Sequence, residues 1–360
     1  MIFSDKSLLP IWKKVRAGRR LDRREGLRLF KTPDLLGVGW MADQVRTRKW
    51  GRRSTFVVNR QINPTNICSN HCRFCHFGVP QTAPSAYQMT VREILRLITP
   101  DIKEVHIVSG LNKHMIFNDY LNIIKAIHSR YPALHIKAYT AVEIDFFSRI
   151  SGLSVREVLA QLKRAGVSCL PGGGAEIFSP RVRRLLCPAK IGWTQWAAVH
   201  REAHKIGLKS NATMLYGHLE TLSERVDHLD KLRSLQDVSG GFVSFIPLAF
   251  HPIPGLTPPS ALTALDHLRA VAVSRLYLDN FDHIKSYWVA VGETTSSVAL
   301  HFGADDLDGT IGKERVYHAA RATTPVGLVR DQMVRLIRSA GFVPVERNGC
   351  YRPVKGWRSP

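Results

Sequence analysis

The chain has 360 residues, 44% of them hydrophobic, and 51 Lys and Arg against 29 Asp and Glu give it a formal net charge of +22. Its length and hydrophobic content suit one large globular domain or two small ones. No stretch approaches the roughly 18 uninterrupted apolar residues of a membrane span, so a soluble, cytoplasmic protein is expected.

The N-terminal part, residues 1–54, is predicted to be a helical extension. Short apolar faces begin at Leu8 and at Leu27. Asp34 can accept hydrogen bonds from the first backbone N–H groups of a helix over 35–45. These segments precede the first pattern typical of a strand.

From Thr55 onward, predicted strands alternate with predicted helices. The strands are expected over 55–59, 105–108, 135–139, 167–170, 210–214, 241–246, 284–291 and 298–302. The helices are expected over 120–129, 155–165, 193–206 and 224–235. This alternation predicts an α/β fold, a (β/α)8, TIM-like barrel over 55–347 with a C-terminal tail over 348–360.

Three cysteines follow the first predicted strand within one short loop. Cys68, Cys72 and Cys75 have the spacing C-x3-C-x2-C. A four-iron cluster has four metal corners, which thiolates usually fill. Three ligands would leave one iron open to a small molecule, so the motif predicts an open-cornered [4Fe–4S] cluster.

The cysteines have two other interpretations, a zinc site and disulfides. A structural zinc site needs four ligands, and His71 or His76 could supply the fourth only from within the same loop. Disulfides are not favoured, because six cysteines are few for this length and no secretion signal is evident.

The positive charge attracts polyanions in general. The basic residues are spread along the chain without interleaved aromatic residues, so nucleic acid is not expected as the primary partner. A basic zinc-binding module that contacts nucleic acid stays the remote alternative. Docking of an acidic electron donor is another use for this charge.

Polar or glycine residues follow several predicted strands, at the edge where barrel active sites form. Ser109 and Gly110 follow the second strand, and Gly173 lies in a triglycine loop that allows close backbone approach. His218 and His251 are candidates for proton transfer.

The cysteine spacing, with the aromatic Phe74 before the third cysteine, resembles the signature of the radical S-adenosylmethionine (SAM) superfamily. The resemblance implies a [4Fe–4S] cluster whose open iron binds SAM, and an electron donor such as a flavodoxin or ferredoxin. Ser109 and Gly110 would then lie near the methionine amine, and Glu176 near a ribose hydroxyl.

Longer stretches resemble the aminofutalosine synthase family of menaquinone biosynthesis, over roughly residues 8–347. They are NRQINPTNIC (59–68), HIKAYTAVEI (135–144), LPGGGAEIF (170–178), NATMLYGH (211–218), FIPLAFHP (245–252) and FGADDLDGT (302–310). The family resemblance implies addition of the 5′-deoxyadenosyl radical to 3-[(1-carboxyvinyl)oxy]benzoate, an enol ether with two carboxylates. The implied products are 6-amino-6-deoxyfutalosine, methionine and bicarbonate.

The resemblance also implies hydrogen-bonding groups for the two carboxylates, and His218, His251 and Asn211 are the candidates. The sister family, cyclic dehypoxanthine futalosine synthase, is the alternative; there the radical abstracts hydrogen. The segments 137–144 and 247–251 favour the synthase.

Four positions depart from the family pattern. Ser109-Gly110-Leu111-Asn112 replaces the usual Gly-Gly-Leu-His, Arg321 stands where glycine is expected, and His76 replaces a small residue.

Overall fold

The computed structural model describes residues 3–253, 255–256, 258 and 260–355. The helices are α1 Leu8–Arg16, α2 Arg23–Lys31, α3 Leu35–Trp50, α4 Val91–Arg96, α5 Phe117–Arg130, α6 Ala141–Ser151, α7 Val155–Ala165, α8 Pro180–Leu186, α9 Trp193–Lys205, α10 Leu222–Ser239, α11 Ala264–Tyr277, α12 Trp288–Val291, α13 Glu293–Ala299, α14 Val316–Ala319 and α15 Arg330–Ser339. The strands are β1 Arg53–Val57, β2 Asn59–Ile62, β3 Glu104–Ile107, β4 His135–Ala138, β5 Val167–Leu170, β6 Lys209–Tyr216, β7 Phe242–Ala249, β8 His283–Ile284, β9 Asp306–Gly309 and β10 Val343–Glu346.

Two parallel sheets build the barrel wall. Strands β2 to β8 pair in chain order as a seven-stranded sheet, and β10, β1 and β9 form a three-stranded sheet. A parallel bridge joins Lys285 to Asp306, and the Gln61 N–H donates to the Ile311 carbonyl over 2.8 Å. The segment around β9 therefore lies between β8 and β2, and the predicted α/β barrel is confirmed with this segment in the eighth position.

The first predicted strand, 55–59, is divided in the structure. β1 ends at Val57 and belongs to the small sheet, whereas β2 begins at Asn59 and pairs with β3. The barrel strand that leads into the cysteine loop is therefore β2. The apolar run gave no sign that the chain changes sheets at Val58.

The last two predicted strands are largely wrong. Within 284–291 only Ile284 belongs to a strand, and Trp288–Val291 is helical. The segment 298–302 is the end of α13 followed by a 3-10 turn. A short apolar run buried on several sides looks the same in a helix and in a strand, which explains both errors.

Side-chain caps define many helix starts. Asp34 accepts the Gly37 N–H over 2.8 Å, as the sequence predicted for α3. Thr140 and Glu143 form a capping box at the start of α6, directly after β4. These caps bring the first turn of a helix to the edge where the neighbouring strand ends.

The N-terminal helices pack on the outside of the barrel. α3 lies along α11, and α2 contacts α10 and α11. The Arg269 guanidinium donates to the Thr32 carbonyl over 2.8 Å. Residues 1–2 of the predicted extension and 356–360 of the predicted tail lie outside the described residues. Among the described residues, no helix has the length and apolar character needed to cross a membrane.

Candidate active site

A cavity of about 320 Å³ opens at the carboxyl ends of the barrel strands. Its volume is in the range of small-molecule sites. The predicted site residues that line it are Cys68, Cys72, Cys75, Phe74, Ser109, Gly110, Gly173, Glu176, Asn211 and His251. The fold therefore brings together all of the predicted site residues except His218.

The cysteine loop folds back toward the end of β3. The Cys68 N–H donates to the Val79 carbonyl over 2.9 Å, and the Ser69 N–H donates to the Leu111 carbonyl over 3.1 Å. All three thiols are free of disulfides and only partly buried. Among the described residues, no three His, Cys, Asp or Glu side chains are grouped as ligands of a single metal ion.

The loop fits a group that several thiolates share. A Cβ placed on Gly78 would lie 3.7 Å from both the Cys68 Sγ and the Cys75 Sγ, so the missing side chain leaves space beside two sulfurs. The Gly78 N–H donates to the Cys75 Sγ over 3.4 Å. Burial raises the pKa of the Cys72 thiol to about 12, so thiolate ligation there requires strong positive charge such as iron provides.

A partly buried lysine lies beside this loop. The Lys190 Nζ is 2.5 Å from the Glu176 Oε1 and 5.0 Å from the centre of the Phe74 ring. Burial would raise the pKa of Glu176, but the Lys190 ammonium outweighs it and holds that pKa below its usual value. Glu176 is thus an ionised carboxylate on the cavity wall, although the sequence gave no reason to single out Lys190.

The turn after β3 is held by a carboxylate from the next βα unit. The Ser109 N–H donates to the Glu143 Oε1 over 2.8 Å, while the other Glu143 oxygen caps α6. Burial raises the pKa of Glu143 to about 7. The Ser109 hydroxyl is buried without a hydrogen-bond partner among the described residues, and Ser109 lines the cavity.

Glycine is required at two of the wall positions. A Cβ on Gly110 would overlap the carbonyl oxygen of Ile67, just before the cysteine loop. Gly174 has a φ of +82°, and a Cβ there would overlap Val142. Glycine therefore lets the first loop lie close to the Ile67 backbone and the second lie close to the Val142 side chain.

Asn211 and His251 both line the cavity. The Asn211 Oδ1 accepts the Ser244 hydroxyl over 2.9 Å, which leaves its amide nitrogen as a donor. The His251 Nε2 lies 2.7 Å from the Ala290 carbonyl and must donate to it, so the neutral ring offers Nδ1 as an acceptor.

His218 does not line the cavity. Its side chain is buried, with Nε2 3.0 Å from the Leu215 carbonyl and Nδ1 2.9 Å from the Glu220 Oε2. Its position after β6 suggested a site residue, but the ring turns back into its own loop. The contacts indicate a residue that shapes this loop.

The departures from the family pattern have structural counterparts. Arg321 has a φ of +63°, a left-handed conformation that glycine adopts most easily. Asn112 is buried, and its amide donates to the Gln88 Oε1 over 3.0 Å. His76 is exposed on the cysteine loop.

Comparison with known proteins identifies the family. The sequence model of the Radical SAM superfamily matches residues 62–232, and that of the CofH/MqnC C-terminal region matches residues 239–358. Aminodeoxyfutalosine synthase of Thermus thermophilus is 44% identical over 98% of this chain and 97% of its own length. The chain belongs to the aminodeoxyfutalosine synthase family of radical SAM enzymes. Membership implies a [4Fe–4S] cluster and SAM, which the three-cysteine cavity fits.

Other relatives of the chain include a second member of this family and a protein with a different name. Aminodeoxyfutalosine synthase of Streptomyces coelicolor is 39% identical, over 97% of this chain and 94% of its own. The 5-amino-6-(D-ribitylamino)uracil–L-tyrosine 4-hydroxyphenyl transferase of Methanopyrus kandleri is 37% identical, over 87% of this chain and 88% of its own.

Solved structures agree on the fold. Methylornithine synthase superposes with a TM-score of 0.74 at 17% identity, over 93% of this chain and 97% of that one. HydG, a maturase of the [FeFe]-hydrogenase, superposes with a TM-score of 0.75 at 18% identity, over 96% of this chain and 78% of HydG.

Proposed function

We propose that this chain consumes SAM as a cosubstrate and joins its 5′-deoxyadenosyl group to 3-[(1-carboxyvinyl)oxy]benzoate. The C–S bond of SAM breaks and methionine leaves, while a bond forms between C5′ and the vinyl CH2. The aryl group then migrates, and with water the enolpyruvyl carboxylate leaves as bicarbonate. The electron used to break the C–S bond is regained, so 6-amino-6-deoxyfutalosine forms without net redox change.

One observation carries this proposal. The 44% identity with the Thermus enzyme extends over 98% of the chain, and the cysteine loop, the triglycine loop and the wall residues all lie within that span. The similarity covers nearly the whole of both chains, so it extends beyond the shared superfamily domain and favours the same reaction.

The chain's own residues would hold both cofactors. Cys68, Cys72 and Cys75 would bind the [4Fe–4S] cluster, which supplies the electron that cleaves SAM. Phe74, which lies between Cys72 and Cys75 in the sequence and lines the cavity, would contribute to cofactor binding.

SAM would lie against the loops that follow β3 and β5. The Ser109–Gly110 turn and the Gly173 backbone would contact it, and the ionised Glu176 would accept a hydrogen bond from a hydroxyl group. The loops would orient the sulfonium and exclude water.

The substrate would occupy the remaining cavity. Asn211 offers an amide donor and His251 offers an acceptor nitrogen, which suits a carboxylate and a proton transfer. His218, buried in its own loop, would position that loop and would not touch the substrate.

An external one-electron donor such as a flavodoxin or ferredoxin would reduce the cluster. Arg73 is exposed in the cysteine loop, and its backbone N–H donates to the Leu186 carbonyl at the end of α8, where Arg184 is also exposed. The two arginines would give an acidic partner a cationic surface. Reduction that slows as ionic strength rises would support this docking, and a salt-independent rate would argue against it.

A second reaction class deserves a direct test, because relatives from methanogens carry another name. The anaerobically reconstituted enzyme should be incubated with SAM, reductant and the enol ether. The proposal expects equal amounts of 6-amino-6-deoxyfutalosine, methionine and bicarbonate. Turnover of SAM to 5′-deoxyadenosine without the adduct would favour hydrogen abstraction.

A further inference from the structure

The end of the cavity farthest from the cysteine loop is polar. His106 is on β3, three residues before Ser109, and its strand partners are Gln61 on β2 and Lys137 on β4. His106, Gln61 and Asn211 line the cavity, and the apolar part of its wall includes Val108, Leu215, Ile246 and Leu248. Val108 comes two residues after His106, just past the end of β3, and Leu215 and Leu248 are the next-to-last residues of β6 and β7, so the apolar wall lies nearer the mouth. A ligand that fills this cavity should be apolar in its middle and polar at its inner end.

His106 has an unused hydrogen-bonding atom at this inner end. Its Nε2 is buried and has no partner among the described residues. A buried, unpaired polar atom costs free energy that a bound ligand can recover. Burial, aided by the Lys137 ammonium, lowers the pKa of His106 to about 4, so the ring is neutral and carries one N–H.

The charges around His106 are already paired. The charged groups that act on the His106 ring come from its own strand, from β4, from the residue after β8 and from β9; they are Glu104, Lys137, Lys285 and Asp308. Lys137 lies 2.6 Å from Glu104, and Lys285 lies 2.7 Å from Asp308. Neutral donors are therefore left to meet a ligand at this end, namely His106, the Asn211 amide nitrogen and Gln61.

The proposed reaction fixes how the substrate must lie, and this inference rests on that proposed function. The vinyl carbon has to meet C5′ of SAM, which is held at the cysteine loop. The carboxylate on the aromatic ring is at the other end of the molecule. With the vinyl group toward the cysteines, the ring fills the apolar middle and its carboxylate reaches the polar inner end.

We propose that the His106 Nε2–H donates a hydrogen bond to the ring carboxylate of the substrate and makes the enzyme specific for the carboxylated aryl ether. His106 would thus be a specificity-determining residue whose contact persists from substrate to product. Loss of one hydrogen bond to a charged group corresponds to about a 10- to 100-fold loss in kcat/KM.

The test compares two substrates, 3-[(1-carboxyvinyl)oxy]benzoate and 2-phenoxyacrylate, which lacks the ring carboxylate. The preference ratio is kcat/KM for the first substrate divided by kcat/KM for the second, and His106→Phe should lower this ratio about 10- to 100-fold. His106→Gln, which keeps an N–H donor, should restore part of the preference. Calorimetric affinities for both compounds, measured with SAM but without reductant, should change in the same way.

His200→Phe is the matched control. The His200 Nε2 is also buried and unpaired among the described residues, but His200 is on α9 and does not line the cavity. The His200→Phe variant should have the same preference ratio as the wild type. If the His106→Phe variant does not fold, the same preference ratio is measured on His106→Leu.

The outcomes separate this inference from the proposed function. A wild-type enzyme that makes no adduct from the enol ether overturns the proposed function, and the inference falls with it. A wild-type enzyme that is active, together with His106 variants that keep the full preference ratio, overturns the role of His106 alone.

Discussion

Lys190 and Glu176 form a buried ion pair beside the cysteine loop, with the Lys190 Nζ 2.5 Å from the Glu176 Oε1. The two side chains are 16% and 12% exposed, so little water reaches either charge. The Phe74 ring covers the same ammonium. Lys190 therefore links Glu176, in the loop after β5, to Phe74, in the loop that carries the cysteines.

Lys190→Met should destabilise the fold strongly, because it leaves the Glu176 carboxylate buried without its cation. Removing one partner of a buried pair costs about 3–5 kcal/mol. The double variant Lys190→Met with Glu176→Gln should recover part of that loss. Urea unfolding measures both values.

Lys205→Met is the control for this ion pair. Lys205 forms an exposed pair with Glu202 at 2.7 Å, and such pairs contribute little to stability. A Lys190 variant as stable as the Lys205 variant would contradict the structural importance of the buried pair.

Gly110→Ala should impair cluster assembly without unfolding the barrel. The added Cβ would overlap the Ile67 carbonyl and displace the backbone that carries Cys68. Iron per chain after anaerobic reconstitution should fall well below that of the wild type. Gly192→Ala, where the nearest atom would be 3.5 Å away, should keep its iron. Equal iron contents in both variants would show that the close approach is not needed.

Cys72→Ala should abolish the cluster, while Cys350→Ala should leave it intact. Cys72 lines the cavity, whereas Cys350 is exposed on the C-terminal segment. The wild type should turn brown and bind about four irons per chain. A colourless wild type with one zinc would support the metal-binding module instead, and SAM cleavage by Cys72→Ala would refute the ligand assignment.

Acid should destabilise the protein through buried histidines such as His228. Burial lowers the pKa of His228 to about 3, against an ordinary value near 6.5 in the unfolded chain. The unfolded state therefore takes up a proton below pH 6.5 that the native state does not. The contribution of His228 to the free energy of unfolding is complete above pH 6.5 and is lost as the pH falls toward 3.

His228→Gln isolates this effect, since its amide can still donate to the Thr213 carbonyl that His228 contacts over 2.9 Å. Between pH 7 and pH 5 the wild type should lose about 2 kcal/mol more unfolding free energy than the variant. Parallel curves in urea unfolding at the two pH values would contradict the assignment.

Local patterns predicted much of the barrel. The strand predicted over 167–170 is β5 with the same bounds, and the helix predicted over 155–165 is α7. Strong periodicity and glycine stops define such elements locally. The segment 298–302 failed because its helical state depends on packing against distant elements, which a five-residue window does not contain.

The site was predictable where its chemistry is encoded by spacing. The cysteines and the triglycine loop could be recognised from the sequence, and both line the cavity. Lys190 could not be found, because its partners Glu176 and Phe74 meet it only in the folded chain. His106 left one faint signal, a polar residue between the apolar Val105 and Ile107 in the strand predicted over 105–108.

The most direct test of the account uses SAM with two deuterium atoms at C5′, the enol ether substrate and the reduced, reconstituted enzyme. Addition of the adenosyl group to the vinyl carbon predicts a 6-amino-6-deoxyfutalosine that retains both deuterium atoms, formed in equal amount to methionine. If the label appears only in 5′-deoxyadenosine that has gained a hydrogen from the substrate, the proposed addition is contradicted.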